Sequence, residues 1–255
     1  MKKRRLTFIL IILLLSINLF SYRTGMVTNI LDNQLIKAVI NGKFYELQGL
    51  IDGGANVNYV DPLGYTPLLH AIYRGYTKIA NYLIFRGARI DYKFKGGITP
   101  LIIAAVNGNI NAIKLLVKKG AKINHKAKNG TTALLIAAKN GHLSVVKYLI
   151  KKGANCEAQM KHGETSLMLA VYKGHIKVVK YLCEAGVKIN AKAKNGMTAL
   201  FVAVIMNKIK IVKYLLSKGA DFRIKTKHNL TVLAIARKHK RKKIIKLLKA
   251  AGASH

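Results

Sequence analysis

Gly141-His142-Leu143-Ser144-Val145-Val146-Lys147-Tyr148-Leu149-Ile150-Lys151-Lys152-Gly153-Ala154 is the stretch on which the fold turns. Its apolar pairs, Val145-Val146 and Leu149-Ile150, recur one helical turn apart and lay a single apolar stripe on a short helix. Gly141 is placed to end a preceding helix in the left-handed conformation, and Gly153 to close this one. Outward from this stretch the same pattern returns every 33 residues. Gly64, Gly97, Gly130, Gly163 and Gly196 are 33 apart, with Asn229 next in register. Thr66, Thr99, Thr132, Thr165, Thr198 and Thr231 follow two residues later. Leu68, Leu101, Leu134, Leu167, Leu200 and Leu233 keep step, as do Ala71, Ala104, Ala137, Ala170, Ala203 and Ala236. Each unit closes on Gly-Ala, as in Gly54-Ala55, Gly87-Ala88, Gly120-Ala121 and Gly219-Ala220, with Gly186-Val187 as the variant. A register held without insertion or deletion is an internal repeat.

Each recurring residue has a physical role. The first Gly of a unit supplies positive φ in a tight turn, where Asn229 is the next most tolerant choice. Thr caps a first helix, and Pro67 and Pro100 start it. Gly75, Gly108, Gly141 and Gly174 end it, and a second amphipathic helix follows. Neither helix can bury its apolar face alone, so the units must stack into a one-dimensional core.

From Gly64-Tyr65-Thr66-Pro67-Leu68 to the stretch 141–154, these motifs resemble the ankyrin repeat, and the resemblance runs over about residues 32–255. It implies an all-α solenoid of helix–turn–helix repeats joined by β-turn finger loops. Five full repeats are expected at 61–93, 94–126, 127–159, 160–192 and 193–225. A linker with a degenerate capping repeat precedes them (26–60), and a capping repeat follows (226–255). The sequence departs from the family pattern in three ways. The His that usually follows Thr-Pro-Leu is replaced by Leu69, Ile102, Leu135, Met168, Phe201 or Ala234, which removes the usual polar tie between repeats. The Asp that opens the turn survives only as Asp61. Asn207 and Lys240 stand where the helix-ending Gly belongs; a non-Gly residue there costs on the order of 1 kcal/mol, which predicts a looser C-terminal end.

Among the 255 residues, 51% are apolar, enough for a core and against wholesale disorder. The outlying quantity is charge: 45 Lys+Arg against 9 Asp+Glu give +36. An AT-rich genome accounts for some of the lysine but not for the missing acids. Such a balance predicts salt-sensitive attraction to polyanions or acidic protein faces. At the N-terminus, Lys2-Lys3-Arg4-Arg5 precedes an apolar run from Leu6 to Phe20. Residues 1–25 are expected to be a secretory signal peptide or, because Ser21 and Gly25 make a poor cleavage site, an uncleaved membrane anchor of a bacterial protein. The run is short for a span, which usually needs about 20 residues. Either form places the chain in the periplasm, at the cell surface or outside, with residues 6–20 as the tether where one is kept. Cys156 and Cys183 cannot make a disulfide framework; free thiols are expected, with Cys183 buried as a small hydrophobe, and a single disulfide in an oxidising compartment is the alternative.

The resemblance implies binding by the concave face, built from turn tips and first helices. Lys95, Lys128, Lys161, Lys194 and Lys227 stand two residues before each turn Gly or its substitute, and Lys93, Lys126, Lys192 and Lys225 form a second row broken by Gln159. Packed helices lie about 8–10 Å apart, so each row forms a stripe of positive potential. Tyr65, Ile98 and Met197, among the varied residues just after the turn, complete the expected partner-binding set. Lys114, Lys147, Lys180, Lys213 and Lys246 form a further ladder on the second helices, where a solvated face is the ordinary reading. The run Arg237-Lys238-His239-Lys240-Arg241-Lys242-Lys243 suits either a polyanion patch or a polar end cap. No H-E-x-x-H helix, phosphate-binding Gly loop or G-x-S-x-G elbow is present, and His142 and His175 occupy a position where the family commonly has His. The expected role is therefore a non-catalytic scaffold, without cofactor, metal or small-molecule substrate, that binds an acidic protein. The alternative is a low-selectivity binder of lipopolysaccharide or another acidic polysaccharide, anionic lipid membrane or nucleic acid.

Overall fold

A threonine two residues before a buried leucine starts the first helix of each repeat from Thr66 onward. Thr132 sits in extended backbone and its hydroxyl accepts the N–H of Leu135 at 3.3 Å; Thr66, Thr99, Thr165 and Thr231 act alike. Each such cap is worth about 1 kcal/mol. The helix ends where Gly141 takes φ 79°, and the chain turns directly into the second helix. A Cβ there would lie 2.6 Å from Nδ1 of His175, so any other residue would have to displace that ring as well as take the positive φ.

The computed structural model describes residues 29–253, and the export segment expected over residues 1–25 lies outside them. The chain forms two compact bodies, one through Arg89 and one from Ile90. The first holds α1 (29–40), α2 (Phe44–Asp52), α3 (Pro67–Arg74) and α4 (Thr77–Phe85). The second holds a short 3₁₀ turn at Lys95–Gly97 and ten α-helices. These alternate first and second helices: α5 (Pro100–Asn107) and α6 (Ile110–Lys118), α7 (Ala133–Asn140) and α8 (Leu143–Lys151), α9 (Ser166–Lys173) and α10 (Ile176–Glu184), α11 (Ala199–Ile205) and α12 (Ile209–Ser217), α13 (Val232–Lys238) and α14 (Lys242–Ala250). β pairing among the described residues is confined to isolated bridges at turn bases, such as Phe94 with Ile98. This is an all-helical ankyrin-repeat solenoid.

The core follows from which side chains are small. Ala104, Ala137, Ala170 and Ala203 are completely buried, and they let the first helices of the second body approach one another more closely than the second helices do. Val145, Val146 and Leu149 close the other side of the same layer. Ile102, Leu135, Met168 and Phe201, which replace the customary His, are at most 3% exposed. Apolar burial thus takes the place of the family's usual polar tie at this position.

Polar ties exist elsewhere. His142 Nε2 lies 2.9 Å from the carbonyl oxygen of Val106, and His175 Nε2 lies 3.1 Å from that of Lys139. A carbonyl only accepts, so each ring carries its proton on Nε2. Arg241 makes the equivalent tie further along the array, donating through Nη2 to the Ile205 carbonyl at 3.1 Å. Asn124 and Asn190 each bridge two repeats, accepting the N–H of Asn155 or Asp221 and donating to the carbonyl of Gly153 or Gly219.

Candidate functional site

The turn tips of the second body are bonded to one another through the backbone. Lys128 N–H donates to the Gly96 carbonyl at 2.8 Å, Lys161 to Asn129 at 2.9 Å, Lys194 to His162 at 2.9 Å and Lys227 to Asn195 at 3.0 Å. Within each tip the chain closes on itself, as where Ala127 donates to Thr131 and Asn129 Oδ1 accepts the Thr131 N–H. The backbones of Lys128, Lys161, Lys194 and Lys227 are therefore held in a fixed row while their side chains project. Lys93, Lys95, Lys126, Lys128, Lys161, Lys192, Lys194, Lys225 and Lys227 are all exposed, and none has an ion-pair partner among the described residues. Among the described residues the second body has one ion pair, Arg223 with Asp221 at 2.9 Å, just outside the rows. The Arg223 hydrogen bonds hold the Asp221 carboxyl below the usual carboxylate range, with Lys192 adding to the effect.

The other expected residues behave differently. Ile98 is half-buried and its carbonyl accepts the Phe94 N–H at 2.8 Å, so its backbone serves the turn. Tyr65 belongs to the first body, where it is half-buried with its ring 5.1 Å from that of His70. His70 Nε2 in turn lies 2.7 Å from Asp61 Oδ2, while Asp61 Oδ1 accepts the N–H groups of Leu63 and Tyr65. Met197 lines a groove of about 280 Å³ together with Lys139, Glu164, Met168, Leu169, Tyr172, Ala193, Asn195 and Val202. Its floor comes from α9 and α11, and sequence reasoning confined to the turns missed it. The available signal was the first-helix register Val106, Lys139, Tyr172, Ile205, whose mixture of aliphatic, charged and aromatic side chains resembles no core position. In the second body the exposed large apolar residues are Val106, Tyr172 and Leu230, and all three lie on first helices or turn tips.

The second helices present a separate basic surface. Lys147 sits over the Tyr181 ring at 5.4 Å and Lys180 over the Tyr214 ring at 5.7 Å. Lys114, Lys118, Lys151 and Lys152 surround Tyr148 and Val117 in a shallow groove. Cys183, expected to be buried, is half-buried: it sits at the edge of the apolar stripe of α10, beside Leu182, rather than in it. Partial burial pushes its thiol up to about 11, with Lys218 pulling against the shift and Glu184 adding to it. Cys156 is also a free, half-buried thiol raised by burial. Among the described residues no cluster of three or more His, Cys, Asp or Glu side chains has metal-holding geometry, and no helix is long and apolar enough to cross a membrane.

Comparisons with known proteins agree with this architecture. The family described as ankyrin repeats (3 copies) matches residues 35–127, 101–193 and 185–255. The crystal structure of the ankyrin repeat domain of Bcl-3, described as a unique member of the IkappaB protein family, is similar with a TM-score of 0.75 at 26% identity. The match covers 85% of this chain and 97% of that one. No curated protein matches the chain. Ankyrin repeats generally mediate protein–protein interaction and are typically non-catalytic scaffolds. With family matches running from residue 35 to residue 255, this chain belongs to the ankyrin-repeat family.

Proposed function

We propose that the chain is a binding scaffold whose turn-tip face, from Lys93 to Lys227, recognises an acidic protein partner. One observation carries this reading: nine lysines stand in rows at the turn tips, all exposed and none ion-paired among the described residues, and Lys128, Lys161, Lys194 and Lys227 are each held to the preceding turn by a backbone hydrogen bond. Fixed unpaired cations attract carboxylates without first breaking internal ion pairs, which favours fast, salt-sensitive association. Residues 1–25 are proposed to export or anchor the chain, since Lys2-Lys3-Arg4-Arg5 and the apolar run of 6–20 have the composition of such a segment.

A second reading has its own support. The groove of Lys114, Lys118, Lys151 and Lys152 shows that the second helices are also basic, as a polyanion binder without face selectivity requires. Charge reversal separates the two. Pull-downs at about 150 mM and about 500 mM salt would use three forms: the native chain, Lys128→Glu with Lys161→Glu, and Lys147→Glu with Lys180→Glu. A protein retained at the higher salt and lost only with the turn-tip reversal supports the scaffold. Equal losses from either pair, with lipid or nucleic acid eluting at the higher salt, support the polyanion reading and sink the first.

A further inference from the structure

We infer that the groove between α9 and α11 is an anchor pocket that takes one large apolar side chain (Leu, Met or Phe) from a partner segment whose flanking residues are acidic. The inference rests on the turn-tip reading and assigns a specificity-determining site within it. Three observations point to this occupant. The lining is apolar where it is deep: Met168 is 3% exposed at the base, with Leu169, Val202 and Met197 half-buried around it and Tyr172, 47% exposed, forming an outer wall. A volume of about 280 Å³ lies at the lower edge of the ~300–1,000 Å³ typical of small-molecule sites, but it accommodates a single large side chain. Two methionines line it, and their unbranched chains adapt to the shape of whatever enters.

Charge decides what surrounds that side chain. The two turns beside the groove carry Lys161 and Lys194, Lys139 lies in its wall, and Lys173 sits over the Tyr172 ring at 5.7 Å. Glu164 is the one acidic lining residue, and its carboxylate already accepts the N–H of His162 at 3.2 Å. An apolar pocket with a cationic rim matches the anatomy of an interface hot spot, where a desolvated anchor is ringed by polar contacts. A second copy of this chain is a poor occupant, because its net charge of +36 repels the same rim.

The register of the repeat supplies variants compatible with the fold. Thr131 occupies the position of Met197 two repeats earlier, and Lys139 that of Tyr172 one repeat earlier. The experiment measures binding of two short glutamate-rich peptides, identical but for a central leucine or alanine, by fluorescence anisotropy at low salt. Full-length protein and the Met197→Thr/Tyr172→Lys variant are compared. The native chain should prefer the leucine peptide by about tenfold or more, the effect of burying one large aliphatic side chain. In the variant the preference should fall to near unity while the alanine peptide binds at least as well, because the variant is more basic. Equal, salt-dependent binding of both peptides by the native chain overturns the pocket but leaves the basic face standing. A leucine preference that survives in the variant also overturns it. If neither peptide binds, the basic-face reading fails and the pocket fails with it; concentration-dependent dimerisation through the groove would identify the wrong occupant and overturn it as well.

Discussion

Asp61 is the one turn-opening acid left in the repeats, and its surroundings show what the other turns do without. Burial pushes its carboxyl up, but the hydrogen bond from His70 and those from the Tyr65 and Leu63 N–H groups outweigh burial and leave it below the usual carboxylate range. Because the folded value lies below the unfolded one, about 3.9, the group stabilises the fold fully above that pH. The contribution is then lost as pH falls through the folded value. Asp61→Asn should therefore flatten the acid limb of the stability curve below about pH 4, read by urea midpoints across pH. Asn keeps an Oδ1 acceptor for the Leu63 and Tyr65 N–H groups that close the turn. An unchanged acid limb would show that Asp61 titrates alike in both states. Thr198 is the counterexample among the caps. Its hydroxyl is buried and has no hydrogen-bond partner among the described residues, although its sequence context matches that of Thr132.

At the scale of the element, the joint between first and second helix is the point of greatest constraint. Gly75, Gly108, Gly141 and Gly174 all close their helices in the left-handed region. Asn207 and Lys240 are forced into the same conformation, each at φ 53°, although neither is glycine. Lysine has no short polar side chain to offset the strain there, unlike asparagine. Lys240→Gly should thus stabilise the C-terminal repeat by about 1 kcal/mol, seen as a higher urea midpoint at unchanged m-value. A lower midpoint would mean that the lost side chain or the added freedom of the unfolded chain outweighs the relieved strain. The basic run 237–243 spans this joint: Arg237 and Lys238 end α13, and Lys242 begins α14. It is a folded segment, tied back by Arg241 to the Ile205 carbonyl.

For the whole molecule the governing quantity is +36, set against few ion pairs among the described residues. Such self-repulsion opposes any compact state, and salt screens it. Raising ionic strength from about 0.01 M to about 0.1 M shortens the Debye length from about 30 Å to about 10 Å. The melting temperature should rise by several degrees over that range, measured by circular dichroism. A melting temperature independent of salt would mean that the lysines are already too far apart to repel.

Much of this was legible in the sequence because the determinants are local. The 33-residue period, the Thr caps, the Gly joints and even the positive φ of Asn207, Asn229 and Lys240 follow from what a turn demands of the residue at its apex. Exposure of the nine turn-tip lysines follows as directly, since a long charged side chain at a loop tip has water as its cheapest neighbour. Tertiary packing decided what depends on the face a neighbouring repeat covers. It left Cys183 half-exposed at a helix edge, buried Met168 while exposing Tyr172 one turn later, and brought Met197 of one turn against Val202 and Leu169. Periodicity places a residue on a helix, but the groove exists only where two helices and a turn meet, and that meeting is a property of their packing.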